Sequence, residues 1–191
     1  MMWRRGWSIF LITLKYLAPI MTTQYHIEEA TLNDIPAITK VVNSAYNGEP
    51  GSKSCTSESH LVTGQRTSED LVRDLLQQPA ITMLKCSDDQ QNIVGSVLLE
   101  KKEHTLYLGM LSVNPQLQAS GIGKLLLQHA EVFAREQHFK TITITVIDRR
   151  VELIDWYKRR GYVPTGNMQP FSNQSSFALA DFSFMELRKE I

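Results

Sequence analysis

The sequence predicts an α/β fold of the α+β type: a mixed, mostly antiparallel central sheet with helices on both faces. Three strand-like runs at residues 80–87, 92–102 and 104–113 follow one another with short polar turns, as in an antiparallel meander. A helical segment at 121–139 then separates the third run from a β-branched run at 141–147. Such a crossover joins parallel strands, so the sheet is expected to be mixed. Apolar residues at helical spacing elsewhere in the chain supply further helices to cover the sheet.

Composition is that of one globular domain. The chain has 191 residues, is 42% hydrophobic and has zero formal net charge, so no global basic field favours nucleic acid as a partner. Its two cysteines, Cys55 and Cys86, are too few for a disulfide framework and lack the spacing of metal ligands. We therefore expect a reduced, cytoplasmic protein without a metal site.

Residues 1–21 differ from the domain predicted for residues 22–191. This N-terminal segment contains no acidic residue, has Arg4 and Arg5, and carries an apolar run at 9–14 that is shorter than the roughly 20 residues that span a bilayer. A targeting segment, a membrane-surface helix and an upstream start before a true first residue at Met21 are all open. We favour the last, so membrane attachment through residues 1–20 is an alternative that we do not favour.

The elements before the meander are a strand and two helices. Alternation predicts a strand at 24–31, and Thr31 or Asn33 can cap a helix with Pro36 in its first turn. A polar loop at 47–65 follows, and loops longer than about 12 residues in a compact domain are commonly functional. Residues 67–79 then form a capped helix that ends at a proline.

The elements after the meander complete the sheet. The helix at 121–139 has an apolar side that includes Ile122 and His129, and the strand at 141–147 follows it. A helix within residues 151–162 ends at Gly161, and residues 175–187 supply closing strands.

The segment QASGIGK, residues 118–124, places two glycines where a strongly helical segment begins. A helix start presents unpaired N–H groups and the positive end of the helix dipole, and glycines let phosphate oxygens approach them. The Walker motif fails because Gln118 and Leu125 stand where it needs glycine and Ser/Thr. The dinucleotide fingerprint fails because Leu126 stands where it needs a third glycine. The spacing therefore favours another kind of phosphate-binding loop.

This loop resembles the Q/R-x-x-G-x-G/A signature of the GNAT family of N-acetyltransferases. Residues 108–131 resemble the strand, loop and helix of that family's cofactor motif, and residues 141–162 resemble the next strand and helix, which end in an aromatic-K-x-x-G-aromatic pattern. The segment TLNDIPAI resembles the usual first helix, so the resemblance runs from about residue 24 to the C-terminus. It implies that acetyl-CoA is bound, with its pyrophosphate at the loop and its pantetheine arm between two splayed strands.

The resemblance also implies roles for individual residues. Tyr157 matches the tyrosine that protonates the departing coenzyme A thiolate, and the backbone N–H of Val113 is expected to polarise the thioester carbonyl. One departure is Arg150, which stands where the family often has asparagine and leaves one side-chain contact to the cofactor in doubt. The predicted cofactor-binding residues are Leu111, Ser112, Val113, Gln118, Ala119, Ser120, Gly121, Ile122, Gly123 and Lys124.

The acceptor side is less defined. Tyr46 and Glu58, on or after the first helix, are predicted to contact the acceptor, and no residue is identified as the general base. Glu58, His60, Glu100 and His104 are all eligible for that role by type. The sequence thus predicts an enzyme that transfers an acetyl group to a primary amine of a small molecule or peptide, acting as a monomer or homodimer. The alternative is a non-catalytic acyl-CoA-binding sensor or scaffold.

Overall fold

The computed structural model describes residues 24–47, 64–171 and 181–191, and the strands in these ranges form one sheet. In chain order the strands are β1 (His26–Glu29), β2 (Ile81–Ser87), β3 (Ile93–Lys101), β4 (Leu106–Val113), β5 (Thr141–Ile147), β6 (Val163–Pro170) and β7 (Ser183–Glu190). The helices are α1 (Ile35–Asn47), α2 (Glu69–Leu76), α3 (Ile122–Glu136) and α4 (Val151–Lys158), with short 3₁₀ turns at Leu32–Asp34 and Pro115–Leu117.

The sheet confirms the predicted mixed topology. Its strand order is β1-β2-β3-β4-β5-β7-β6, in which β4 and β5 are parallel and the other neighbours are antiparallel. The crossover from β4 to β5 runs through α3, as the sequence predicts. Strand β6 was not predicted, because Pro164, Gly166 and Pro170 interrupt its pattern. Such residues are tolerated there because β6 is an edge strand.

Helices cover both faces of the sheet, as predicted. Residues that alternate along one strand enter two different hydrophobic clusters: Met83 and Leu98 pack with α1 and α2, whereas Leu84 and Leu99 pack with α3 and α4. This alternation follows from the period of two in a strand. The predicted apolar side of α3 is wrong at His129, which is exposed, because the helix turns that position towards solvent.

Strands β4 and β5 separate soon after they begin to pair. Leu106, Tyr107 and Leu108 pair with Ile142, Thr143 and Ile144, and beyond those pairs the two strands share no register. The C-terminal halves of both strands therefore border a gap in the sheet. This is the splay that the family resemblance implies.

Local side-chain bonds fix the ends of the first helices. The Asp34 carboxylate accepts hydrogen bonds from the Thr31 N–H at 2.7 Å and from the Thr31 hydroxyl at 2.9 Å. The Lys85 ammonium on β2 donates to both oxygens of Asp34 at 3.0 Å, which ties the start of α1 to the sheet. Ser68 caps α2 by accepting from the Leu71 N–H at 3.2 Å.

Several sequence predictions lie outside the described residues: the N-terminal segment, most of the polar loop, Glu58 and His60. The domain boundary between residues 21 and 22 thus stays a prediction. Among the described helices, none combines the length and apolar character needed to cross a bilayer.

Candidate active site

The end of β4 offers backbone groups to the gap. Met110 has a φ of +50°, and the β3–β4 register shifts beside it, so β4 carries a bulge there. Beyond the bulge Ser112 pairs with Ser96, and the Asn114 N–H donates to the Val94 carbonyl at 2.8 Å. Because backbone groups alternate in direction along a strand, those of Leu111 and Val113 turn away from β3, towards the gap.

Ser112 is placed differently from its two neighbours on β4. It is fully buried, and its hydroxyl donates to the Met110 carbonyl at 3.0 Å, across the bulge. Its side chain therefore holds the bulge that orients Leu111, and its contact with the cofactor stays a prediction.

The loop after β4 leads into α3, whose first turn leaves backbone N–H groups without intrahelical partners. Gly121 is the N-cap, with φ +91° and ψ −4°, and no side chain caps the helix. The first backbone bond of the helix runs from the Leu125 N–H to the Gly121 carbonyl at 2.9 Å, so Ile122, Gly123 and Lys124 have no carbonyl one turn earlier. Lys124 is exposed beside them. The turn is therefore a cradle for an anion.

The conformation of this loop explains the glycine at 121. Its φ of +91° suits glycine, and a Cβ built there would meet no atom within 4 Å. Ala119 is also left-handed, with φ +67°. Ser120 is exposed, and its hydroxyl donates to the Leu117 carbonyl at 2.5 Å, which closes the turn locally. Gln118 ends the preceding 3₁₀ turn with extended backbone and is half-buried.

Gly123, in the first turn of α3, lies between Val113 of β4 and Trp156 of α4. A Cβ there would stand 3.7 Å from the Trp156 ring and 3.7 Å from a methyl group of Val113, which is ordinary contact. The protein alone would accept alanine at this position. We expect the second glycine to leave room for a ligand that passes between β4 and α4, and the observed cradle and gap fit a phosphate group followed by a narrow chain.

Tyr157 lies beneath the gap, on α4. It is 5% exposed, and its ring meets the rings of Trp156 at 4.9 Å and Tyr162 at 5.5 Å, both edge to face. Burial raises the pKa of Tyr157 far above its ordinary value, and the nearby phenols of Tyr46, Tyr162 and Tyr107 raise it further. A raised pKa keeps the phenol protonated at neutral pH, which suits a hydrogen-bond donor.

The residues that perturb Tyr157 come from the opposite face of the sheet as well. Tyr46 lies on α1, under the Arg66 guanidinium, whose carbon is 4.8 Å from the ring centroid. Tyr107 lies on β4 where the strands begin to separate, and its Oη is 2.9 Å from Thr145 Oγ1 on β5. The structure thus brings Tyr46, a predicted acceptor residue, close to Tyr157 across the gap.

An open polar groove of about 710 Å³ lies on the face of the sheet opposite α3. It is lined by hydroxyl, amide and charged side chains: Glu100, Lys102, Thr105, Tyr107, Thr141, Thr143, Thr145, Thr165, Asn167, Gln169, Glu186 and Arg188. Tyr107 and Thr145 belong both to this groove and to the point where β4 and β5 separate. The groove is therefore continuous with the gap.

Two of the four eligible bases, Glu100 and His104, lie among the residues that the structure describes, and neither is among the groups that shift the pKa of Tyr157. Glu100 lies in the groove and is paired with the Lys102 ammonium. His104 is exposed, with its Nε2 3.5 Å from the Glu103 carboxylate. Within the described residues, no three His, Cys, Asp or Glu side chains group as a metal site would require.

Arg150, the departure from the family pattern, is buried at the N-cap of α4, with 3% of its surface exposed. Its Nε–H donates to the Glu152 carboxylate. Sequence reasoning did not assign a role to Trp156, whose ring packs against Tyr157 and stands beside Gly123. The only signal for it was that it flanks Tyr157 in the sequence, a pattern that an ordinary amphipathic helix shares.

Comparison with known proteins agrees with this geometry. A family model for the acetyltransferase (GNAT) domain matches residues 52–176. The peptidyl-lysine N-acetyltransferase YjaB of Salmonella typhimurium is 29% identical over 101 residues, which are 53% of this chain and 62% of that protein. The match thus spans less than two thirds of this curated relative.

Solved structures share the fold at low sequence identity. The ribosomal-protein-S18-alanine N-acetyltransferase from Escherichia coli superposes with a TM-score of 0.68 at 14% identity, over 88% of this chain and 94% of that one. An N-acetyltransferase from Staphylococcus aureus Mu50 gives 0.69 at 18% identity, over 87% of this chain and 97% of that one. Since the family model covers more than half of the chain, the predicted family is confirmed: the chain belongs to the GNAT family of acetyltransferases, whose members use acetyl-CoA as cosubstrate.

Proposed function

We propose that this chain is an N-acetyltransferase that moves the acetyl group of acetyl-CoA to a primary amine, with the lysine side chain of a peptide as the first acceptor to test. The single observation that carries the proposal is the convergence of three parts. The open first turn of α3, the gap between β4 and β5, and Tyr157 meet at the C-terminal ends of these two central strands.

The cradle is proposed to hold the pyrophosphate. The N–H groups of Ile122, Gly123 and Lys124 face outward at the positive end of a 15-residue helix, and Gly121 keeps a side chain out of the way. The pantetheine amides then take the place of a strand in the gap, where the backbone groups of Leu111 and Val113 are free to pair with them.

Acetyl-CoA supplies the thioester, and the chain supplies placement and two hydrogen-bond donors. The Val113 N–H is proposed to stabilise the negative charge that develops on the carbonyl oxygen as the neutral amine attacks. As the C–N bond forms and the C–S bond breaks, the Tyr157 hydroxyl donates to the sulfur of the leaving thiolate. The amine gives up one proton and the thiol gains one, so the reaction is balanced. Holding both reactants in the gap supplies much of the acceleration.

The acceptor is proposed to arrive from the polar groove, on the face opposite α3. Its hydroxyl and amide lining suits a polar chain, and its acidic and basic residues balance each other in number. We propose that Tyr46, whose phenol raises the pKa of Tyr157, contacts the acceptor at the inner end of this approach. The curated relative named above is a peptidyl-lysine acetyltransferase, which supports a lysine side chain as the acceptor class.

We propose a cytoplasmic site of action, because acetyl-CoA is too polar to cross a membrane unaided. The oligomeric state, monomer or homodimer, stays a prediction.

The test is release of coenzyme A thiol from acetyl-CoA in the presence of a library of lysine peptides, polyamines and amino acids, with mass spectrometry of the product. We expect acetylation of at least one amine, with peptides preferred. If the chain binds acetyl-CoA in calorimetry but no amine in the library leads to release of thiol, that result would instead support the sensor or scaffold alternative.

A further inference from the structure

The charged side chains of the polar groove balance in number but not in position. The Glu100 carboxylate is paired with the Lys102 ammonium, and Arg188 Nε lies 3.8 Å from the Glu190 carboxylate. The remaining charged residue that lines the groove is Glu186, which forms no ion pair within the part of the chain that the structure describes. Glu186 is therefore the groove carboxylate that a cationic ligand could still neutralise.

Neighbours on β6 hold Glu186 in place without neutralising it. Its Oε1 accepts a hydrogen bond from Asn167 Nδ2 at 3.0 Å, and its backbone carbonyl accepts from the Thr165 hydroxyl at 3.4 Å. The same hydroxyl accepts from the Asn167 N–H at 3.2 Å. Because Glu186 is half-buried, a cation bound to it would be partly shielded from water, which strengthens the attraction between the two charges.

The register of the sheet puts Glu186 at the level where the gap begins. Thr145 is the first residue of β5 beyond its pairing with β4, and Glu186 on β7 is directly opposite Thr145. Side chains opposite each other on antiparallel strands share a face, with Cβ atoms about 5 Å apart. Arg188 is opposite Thr143, which still pairs with β4. Along β7 the negative charge is therefore nearer to the gap than the positive one.

Hydroxyl groups border the same position on its other side. Tyr107 Oη lies 2.9 Å from Thr145 Oγ1, and a Cβ built at Gly109 would stand 3.0 Å from the Tyr107 ring, so the ring covers that glycine. Each hydroxyl oxygen has two lone pairs and can accept a further hydrogen bond. The mouth of the gap thus presents a phenol, a hydroxyl and the Glu186 carboxylate, all of which can accept hydrogen bonds from an ammonium group.

We propose, resting on the function proposed above, that Glu186 determines acceptor specificity by binding the ammonium form of the acceptor amine at the mouth of the gap. The acceptor is then an alkyl amine that is charged in solution, as the lysine side chain is with a pKa of about 10.4, in preference to an amine that is neutral at pH 7. The carboxylate acts in recognition, before the amine loses the proton that it must shed in order to attack.

The experiment separates the charge of Glu186 from its shape, in the full chain. Glu186→Gln removes the charge and keeps an oxygen that can accept from Asn167. Glu190→Gln is the matched control, because it removes an exposed carboxylate from the same face of the same strand, outside the groove. The acceptor is an N-acetylated peptide with one central lysine, and the same peptide with norleucine in that place serves as a competitive inhibitor. The measurements are kcat, KM for both substrates, Ki for the norleucine peptide, and the thermal midpoint.

We expect Glu186→Gln to raise the KM for the lysine peptide about tenfold, because a charge-assisted hydrogen bond is lost. The kcat, the KM for acetyl-CoA and the Ki for the norleucine peptide should stay within about twofold of the wild type, since none of them depends on the ammonium charge. Glu190→Gln should match the wild type in every measurement.

Equal rises in the KM for the lysine peptide and the Ki for the norleucine peptide would overturn the inference, because Glu186 would then only shape the groove. A fall in kcat with unchanged KM would overturn it too, since the carboxylate would then act in the chemical step. If the wild type acetylated only amines that are neutral at pH 7, the inference would fail while the proposed acetyl transfer stood. If no amine led to release of thiol, the proposed function itself would be at fault.

Discussion

Removing the Tyr157 hydroxyl tests the chemistry with the least disturbance of the fold. Tyr157→Phe deletes one oxygen and leaves the ring in its edge-to-face contacts with Trp156 and Tyr162, at 4.9 and 5.5 Å. We expect acetyl-CoA affinity to stay within about twofold of the wild type, because the cradle on α3 is untouched. The thermal midpoint should also change little.

The expected loss follows from the hydrogen bond to the leaving thiolate. A positioned acid contributes about 10²–10⁴-fold, so kcat and kcat/KM should both fall by that range. Full transfer from an ordinary phenol, with a pKa near 10, to a thiolate whose acid has a pKa near 8.5 is uphill by about 2 kcal/mol. Burial makes the phenol weaker still, so the hydroxyl acts mainly by donating a hydrogen bond as the C–S bond breaks.

The pH profile separates this role from that of a residue with an ordinary pKa. Because burial keeps Tyr157 protonated, the wild-type rate should show no alkaline fall from this phenol at any pH below about 10, and the Phe variant should give the same profile shape at a lower height. The assay is thiol release between pH 6 and 10, with single-turnover measurement of the chemical step. A Phe variant with near-normal kcat would refute the reasoning and leave Tyr157 as a core residue.

The remaining predictions concern binding and stability. Gly121→Glu should abolish acetyl-CoA binding in calorimetry, whereas Gly166→Glu should not, although both glycines have positive φ (+91° and +88°) and nothing within 4 Å of a Cβ; equal affinities in the two variants would remove the cradle. Asp34→Asn should cost about 1–3 kcal/mol in urea denaturation at pH 7, since it weakens the bonds to Thr31 and to the Lys85 ammonium. Burial acts to raise the pKa of Asp34, but the hydrogen bonds to Thr31 and Lys85 together lower it. The stability advantage of the wild type over Asp34→Asn should therefore shrink as pH falls below about 4. A stability difference that does not change with pH would contradict this prediction. Tyr162→Phe removes a buried hydroxyl without a partner in the described structure and should leave stability at pH 7 equal or higher. Burial raises the pKa of Tyr162, so the phenol loses its proton at a lower pH in the unfolded chain than in the folded one. The stability of the wild type should therefore fall above about pH 10, and that of Tyr162→Phe should fall less steeply. An equal slope in the two proteins would contradict this linkage.

Local pattern was sufficient for most of the fold. The meander, the crossover through α3 and the caps at Thr31 and Ser68 follow from periodicities of two and 3.6 residues and from side chains that bond within one turn. The failures were β6 and the side chain of His129. A proline-rich edge strand carries no alternation of its own, and the face that a helical residue presents depends on how the helix docks.

The sequence by itself determined the family, the loop at residues 118–124 and the tyrosine to suspect, because these are encoded in contiguous residues. Tertiary structure alone decided how far β4 and β5 pair before they part, that Tyr46 and Tyr107 approach Tyr157 across the gap, and that Arg160 rests on Trp156. Those contacts join residues that are distant in the chain, or depend on side-chain rotamers set by packing. The periodicity of the sequence holds no information about either. The same reason explains why the acidity of Tyr157 could not be predicted: a pKa is set by burial and by neighbouring charges, both of which arise only when the chain folds.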